Sequence, residues 1–181
     1  PEFSQQIRLR GRIEHTTDSK GRFQAIWKDC DTVMGVPYDF PIIGYGNNTV
    51  NILRLWSSRA SSDLDLDKFN QGGYIEAVHD KALSETISKV LYPADQTEQG
   101  KRLRLTQQYF FVACTIGDML RRYQRENDTL DLLPEKVVVQ LNDTHPTLAV
   151  AELMRVLVDE HRVPWERAWD MTRAILNYTN H

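Results

Sequence analysis

The stretch from Val137 to Thr147, VVVQLNDTHPT, constrains the fold of this chain more than any other. A short valine-rich run bounded by turn residues reads as a strand covered on both faces, the kind found in parallel sheets. Pro146 suits the first turn of a helix, where no N–H is needed, and Asp143 or Thr144 can cap it. Asn142, Asp143, Thr144 and His145 therefore fall between a strand's carboxyl end and a helix's amino end. In open α/β sheets ligands bind there. Helix capping alone would also account for the same residues.

The rest of the chain predicts what surrounds this strand. Residues 6–14 (QIRLRGRIE) alternate apolar and polar and read as a strand, TTDSKGR is turn chemistry, and 23–36 reads as one or two more strands. Pro37, Pro41, Gly44 and Gly46 predict an irregular segment, followed by a strand over 49–57. Residues 1–60 are thus β-rich. Residues 74–91 read as a helix whose apolar positions, Ile75, Val78, Ala82, Ile87 and Val90, are loosely spaced. Such a helix is either mostly solvated or packs on a partner subunit. A polar loop, YPADQTEQG, follows over 92–100.

Beyond it, 102–125 carries a helical stripe of Leu105, Tyr109, Val112, Ile116 and Tyr123. After the strand at 136–141, a helix is predicted over 146–161, another from Pro164 to Arg173 or beyond, and ILNYTNH is compatible with a second strand. The order β, α, α, β predicts helices around a parallel sheet, so the fold class is α/β.

Composition narrows the function classes. A formal net charge of −3 argues against a nucleic-acid or anionic-membrane surface. No apolar run has membrane length. The two cysteines, Cys30 and Cys114, lie far apart, form no metal or redox motif, and are expected to sit reduced in the interior of a cytoplasmic protein. The opening PEFSQQ has no initiator Met and the closing LNYTNH stops on an apolar-to-polar transition, so a piece of a longer chain is expected.

Five blocks then carry a resemblance: MGVPYDFPIIGYGNNTVNILRLWSSRA (34–60), FNQGGYIEAVHDKALSETISKVLYPADQ (69–96), GKRLRLTQQYFFVACTIGDMLRR (100–122), VVVQLNDTHPTLAVAELMRVLVD (137–159) and VPWERAWDMTRAILNYTNH (163–181). Together and in this order they resemble the α-glucan phosphorylases of glycogen, starch and maltodextrin. The likeness covers the chain from about Gly11. It implies a glycosyltransferase that cleaves α-1,4-glucan with inorganic phosphate, releasing glucose 1-phosphate with retained configuration. It also implies two Rossmann-like domains facing a cleft, and a pyridoxal phosphate cofactor whose lysine lies in the C-terminal domain. The present chain would be the later half of the N-terminal domain, inactive alone and holding no cofactor-binding residue.

The resemblance also assigns residues. Asp143 and His145 match positions that line the cleft, and Asn180 and His181 match the segment whose histidine contacts the reacting glucose. Asp95 and Gln96 match a mobile gate loop over the active site. The family often has Asp-Asn there, so the longer amide of Gln96 puts the usual bond to the glucose 2-hydroxyl in question. Thr97 stands where some members carry an aromatic side chain, so no stacking inhibitor site is expected. Helix 74–91 matches a tower helix that crosses a homodimer interface. Arg121 and Arg122 match an arginine pair that binds the nucleotide phosphate in AMP-activated, allosteric members, although adjacent arginines near a helix carboxyl end suit the macrodipole anyway.

Two rival readings remain. Asp143, His145 and His181 could ligate a metal in a hydrolase, but no further ligand cluster supports them. The chain could also be a non-catalytic dimer-forming or sugar-binding module. Trp27, Trp56, Trp165 and Trp169 are expected in the core or at an interface.

Overall fold

A computed structural model describes residues 3–61, 72 and 74–180. The strands are β1 (Gln5–Leu9), β2 (Arg12–Thr17), β3 (Phe23–Lys28), β4 (Asp31–Ile43), β5 (Val50–Ala60), β6 (Val139–Asn142) and β7 (Leu176–Thr179). The helices are α1 (Tyr74–Thr86), α2 (Glu98–Gln124), α3 (Leu133–Lys136), α4 (Leu148–Arg155) and α5 (Trp165–Ile175), with a π-helical turn over Val156–Glu160. Strands come first and helices later, a mixed α/β chain. It divides into two compact units, residues 1–8 with 32–107, and residues 9–31 with 108–181.

The first unit is built on a three-stranded sheet in the order β1-β4-β5. The irregular segment expected after Pro37 holds only over 44–49, a turn; 38–43 are instead part of β4, which pairs antiparallel with β5 from Val33↔Ala60 to Ile43↔Val50. Pro37 and Pro41 are four residues apart, so their ring nitrogens face the same side of the strand. A proline is tolerated where its missing N–H faces no partner. Five-residue β1 is too short to flank all thirteen residues of β4.

Helix α1 packs on β5 in the same unit. The Ser58 hydroxyl donates to the Ser84 carbonyl, and the Ser58 amide donates to Ser88 Oγ at 2.7 Å. The helix ends at Thr86 rather than continuing to 91, because residues 87–91 turn away from the helical path.

The strand expected over 6–14 breaks into β1, of the first unit, and β2, of the second. Arg10 and Gly11 both take left-handed φ, 59° and 82°. Gly11 is required there, since a Cβ would stand 2.4 Å from the Lys28 carbonyl oxygen. Strands β2 and β3 then pair antiparallel from Arg12↔Lys28 to Thr17↔Phe23.

The β, α, α, β order forms as expected. β6 and β7 are parallel neighbours, with Val139 opposite Leu176 and Asn142 opposite Thr179. β6 starts at Val139, later than the valine run suggested, because Leu133–Lys136 take a helical turn with Pro134 at its start. Leu153 and Leu157, Ile175 of α5, Leu133 of α3, and Ile116 and Leu120 of α2 close over Leu141 of β6 as one core. Burying each such side chain contributes on the order of 2 kcal/mol before entropy is counted. Trp56 is buried, and Trp165 and Trp169 are exposed.

Candidate functional site

The two parallel strands end in step. One residue past β6, the Asp143 amide donates to the Thr179 carbonyl at 2.7 Å, extending the ladder into the turn. Asp143 has φ 64°, and aspartate is among the few non-glycine residues that accept this region. Its Oδ1 accepts from the Thr144 amide at 2.6 Å, and its Oδ2 lies 3.7 Å from His145 Nε2. Both side chains are partly open to solvent.

The capping expectation for Asp143 and Thr144 does not hold. Helix α4 begins at Leu148, and its N-cap residue, Thr147, has helical φ and ψ and no side-chain cap bond. The Thr147 hydroxyl instead donates to the Thr144 carbonyl at 2.7 Å. The Asp143 carboxylate is thus oriented by its own turn and not consumed by the helix. On β7, the Thr179 hydroxyl oxygen accepts from Gln140 Nε2 at 2.5 Å. Asn180 follows, exposed, with its Oδ1 3.5 Å from the Tyr178 hydroxyl. His181 lies outside the described residues. A carboxylate beside an imidazole at strand ends can orient a hydroxyl-rich ligand and stabilise positive charge developing on it.

Asp95 and Gln96 belong to the other unit and are described with it. The loop expected over 92–100 is shorter, because α2 already starts at Glu98. Thr97 starts that helix: its Oγ1 accepts from the Gly100 amide at 3.1 Å and its carbonyl from the Lys101 amide at 3.0 Å. Arg104 Nη1 meets Asp95 Oδ2 at 3.0 Å, while Gln96 is exposed.

Near the end of α2, Arg121 binds the buried carboxylate of Asp118 through Nη2 at 2.5 Å and Nε at 3.2 Å. Arg122 is exposed. Consecutive helical residues project about 100° apart, so Arg121 and Arg122 leave the helix in different directions. Among the described residues no three His, Cys, Asp or Glu side chains gather as a metal site. No helix among them is long and apolar enough to cross a membrane.

Sequence reasoning missed one polar cluster altogether. Glu152, nearly buried on α4, is gripped by Arg155 through Nε at 2.7 Å and Nη2 at 2.8 Å. Arg155 Nη1 reaches Glu160 at 2.8 Å, and its guanidinium carbon stands 5.5 Å from the Trp27 ring centre. Burial alone would lower the Arg155 pKa, but the bonds and charges of Glu152 and Glu160 outweigh it and hold the group above its ordinary value. The signal was Glu152 and Arg155 three apart beside apolar neighbours, a spacing that puts them on one helix face.

Polar residues lie at the carboxyl ends of two adjacent parallel strands of a mixed α/β chain, the position at which open α/β sheets bind ligands. The sequence model of the carbohydrate phosphorylases matches residues 1–181, and the chain belongs to that family. It is 51% identical over 180 residues to the glycogen phosphorylase of Chlamydia pneumoniae, covering 99% of this chain and 22% of that protein. The glycogen phosphorylase of Synechocystis sp. is 50% identical, with 100% and 21% covered. The muscle form of glycogen phosphorylase from Ovis aries is 48% identical, with 100% and 22% covered. The chain therefore spans about a fifth of the length of these relatives.

Proposed function

We propose that this chain is part of an enzyme that cleaves α-1,4-glucan with inorganic phosphate and releases glucose 1-phosphate. The observation that carries the reading is the strand-end turn of Asp143 and His145, hydrogen-bonded to the end of β7, in a chain about half identical to glycogen phosphorylases. In this account the chain supplies the sugar-side wall of the cleft, within a Rossmann-like domain that faces a second one. Asp143 and His145 orient the glucan, Asn180 and His181 hold the reacting glucose, and Asp95 and Gln96 form a loop over it.

Glycosyl transfer passes through an oxocarbenium-like state. A carboxylate and main-chain carbonyls fixed in advance at strand ends stabilise the positive charge without reorganising. The left-handed turn at Asp143 is the kind of local strain that a site holds in place for such a task.

The parent enzyme of this account uses pyridoxal phosphate, which supplies a phosphate group for proton transfer when bound. The lysines among the described residues do not fit it. Its attachment needs a sheltered lysine, whereas Lys20, Lys28, Lys81, Lys89, Lys101 and Lys136 are exposed or half-buried. In this reading the cofactor is held elsewhere in the parent.

The same account makes the parent a cytoplasmic homodimer joined through α1, supported by the exposed Ile75, Val78 and Leu83 on that helix. It assigns no nucleotide site to Arg121 and Arg122, since Arg121 is engaged by Asp118. The test is the full-length parent incubated with maltoheptaose and phosphate, with and without pyridoxal phosphate. Cofactor-dependent glucose 1-phosphate is expected, and no product from any glucan overturns the reading.

A further inference from the structure

The loop that carries Asp95 and Gln96 is held at both ends by a single helical turn of α2. At its root, Gln107 is almost fully buried and engages three main-chain groups. Its Nε2 donates to the Ile87 and Val90 carbonyls, each at 2.8 Å, and its Oε1 accepts from the Tyr92 amide at 3.2 Å. The two carbonyls lie in the turn that follows α1, and the Tyr92 amide opens the loop itself. Tyr92 itself has φ 52°, a conformation that the Gln107 bond helps to hold.

Three residues before Gln107, and so on the same helix face, Arg104 takes the other end of the loop. Its Nη1 is 3.0 Å from Asp95 Oδ2, and its guanidinium carbon lies 6.0 Å from the Tyr92 ring centre. Gly100 completes the arrangement: a Cβ there would stand 1.9 Å from the Ala94 carbonyl oxygen, so only glycine lets the loop lie on the first turn of α2.

We infer that Gln107 is a positioning residue that fixes the root of the 92–97 loop, and that Arg104 is the latch that sets where Asp95 points. The two act differently. Gln107 is buried and bonded on every side, so it is a permanent anchor. The Arg104–Asp95 pair is solvent-exposed, and exposed pairs are worth little and exchange readily. The loop therefore pivots about Gln107 and its tip is released by breaking one weak ion pair. This rests on the reading of the loop as a substrate loop.

The test uses the full-length enzyme with Gln107→Met, Arg104→Met and Arg104→Lys. Hydrogen exchange of the 87–97 amides reads the loop directly, and steady-state kinetics with phosphate and glucan read its role. Gln107→Met should speed exchange over 87–97 by on the order of tenfold while leaving 108–124 unchanged. It should raise KM by more than it lowers kcat. Arg104→Met should speed exchange over 93–97 alone and raise KM, and Arg104→Lys should restore much of both. Unchanged exchange in both methionine variants overturns the inference, as does faster exchange along all of α2, which would make Gln107 merely structural. Unchanged KM with a loosened loop overturns the positioning role. Wild-type enzyme without phosphorolysis defeats the functional reading instead, and the exchange data still decide whether Gln107 anchors the loop.

Discussion

The Asp143 amide and the Thr179 carbonyl meet at 2.7 Å, so β6 and β7 end together and present their last side chains side by side. This bond needs Asp143 in the left-handed region, with φ 64°. The strand ladder fixes the Asp143 backbone, and the Thr144 amide within the turn then orients its carboxylate.

Substitutions at Asp143 should therefore separate backbone from side chain. Asn tolerates left-handed φ and keeps an acceptor for the Thr144 amide, so Asp143→Asn should leave the thermal midpoint of the full-length enzyme nearly unchanged. A β-branched residue meets strain of about 1–3 kcal/mol. Asp143→Val should lower the midpoint by a few degrees, as read by scanning calorimetry.

The Arg155–Glu152 pair predicts a strong asymmetry between single and double variants. Arg155→Met leaves the Glu152 carboxylate buried without its fork, a loss of about 3–5 kcal/mol. Replacing both, as Glu152→Leu with Arg155→Met, should recover most of that. A double-mutant cycle on chemical unfolding measures the coupling. Additive effects would show that the fork is not the reason Arg155 matters.

Asp159 gives a pH dependence. Burial raises its pKa above the ordinary carboxylate value, opposed by Arg155 and Arg162 and reinforced by Glu160. The folded chain then holds this proton more tightly than the unfolded one. Its contribution favours folding at low pH and is lost as pH rises through the folded value, above which the partly buried charge is a net cost. Asp159→Asn should raise the thermal midpoint slightly at pH 7, and the gain should vanish as pH falls below the folded value. A gain that grows on acidification would contradict the sign.

The legible parts of the fold were those where one short-range rule governs. The valine run, the following apolar stripe and the β, α, α, β order gave β6, α4, α5 and β7 to within a few residues. The misreadings share a cause, since each was settled by a partner far along the chain. Pro37 and Pro41 punctuate locally, but pairing with Trp56 and Ile52 carries β4 through them. Ile87 and Val90 continue the spacing of α1, yet Gln107, about twenty residues on, takes their carbonyls into a turn. Gly11 was read inside a strand because nothing nearby announces that Lys28 would clash with a side chain there. At the site, the position of NDTHP was legible from its place between strand and helix. The Asp143–Thr179 bond was not, because it depends on the register of two strands whose residues are over thirty positions apart. Substrate and residue roles came from resemblance alone.

The most direct measurement compares kcat/KM for maltoheptaose phosphorolysis by the full-length enzyme, its His181→Ala variant and its Asp143→Asn variant. Both positions belong to the sugar-side wall in this account. Losing a group that acts in the transition state lowers the rate by on the order of a hundredfold or more. The account predicts losses of that size in both variants, with the thermal midpoint of Asp143→Asn held. Wild-type rates in both would contradict it and leave the strand-end turn as a purely structural corner.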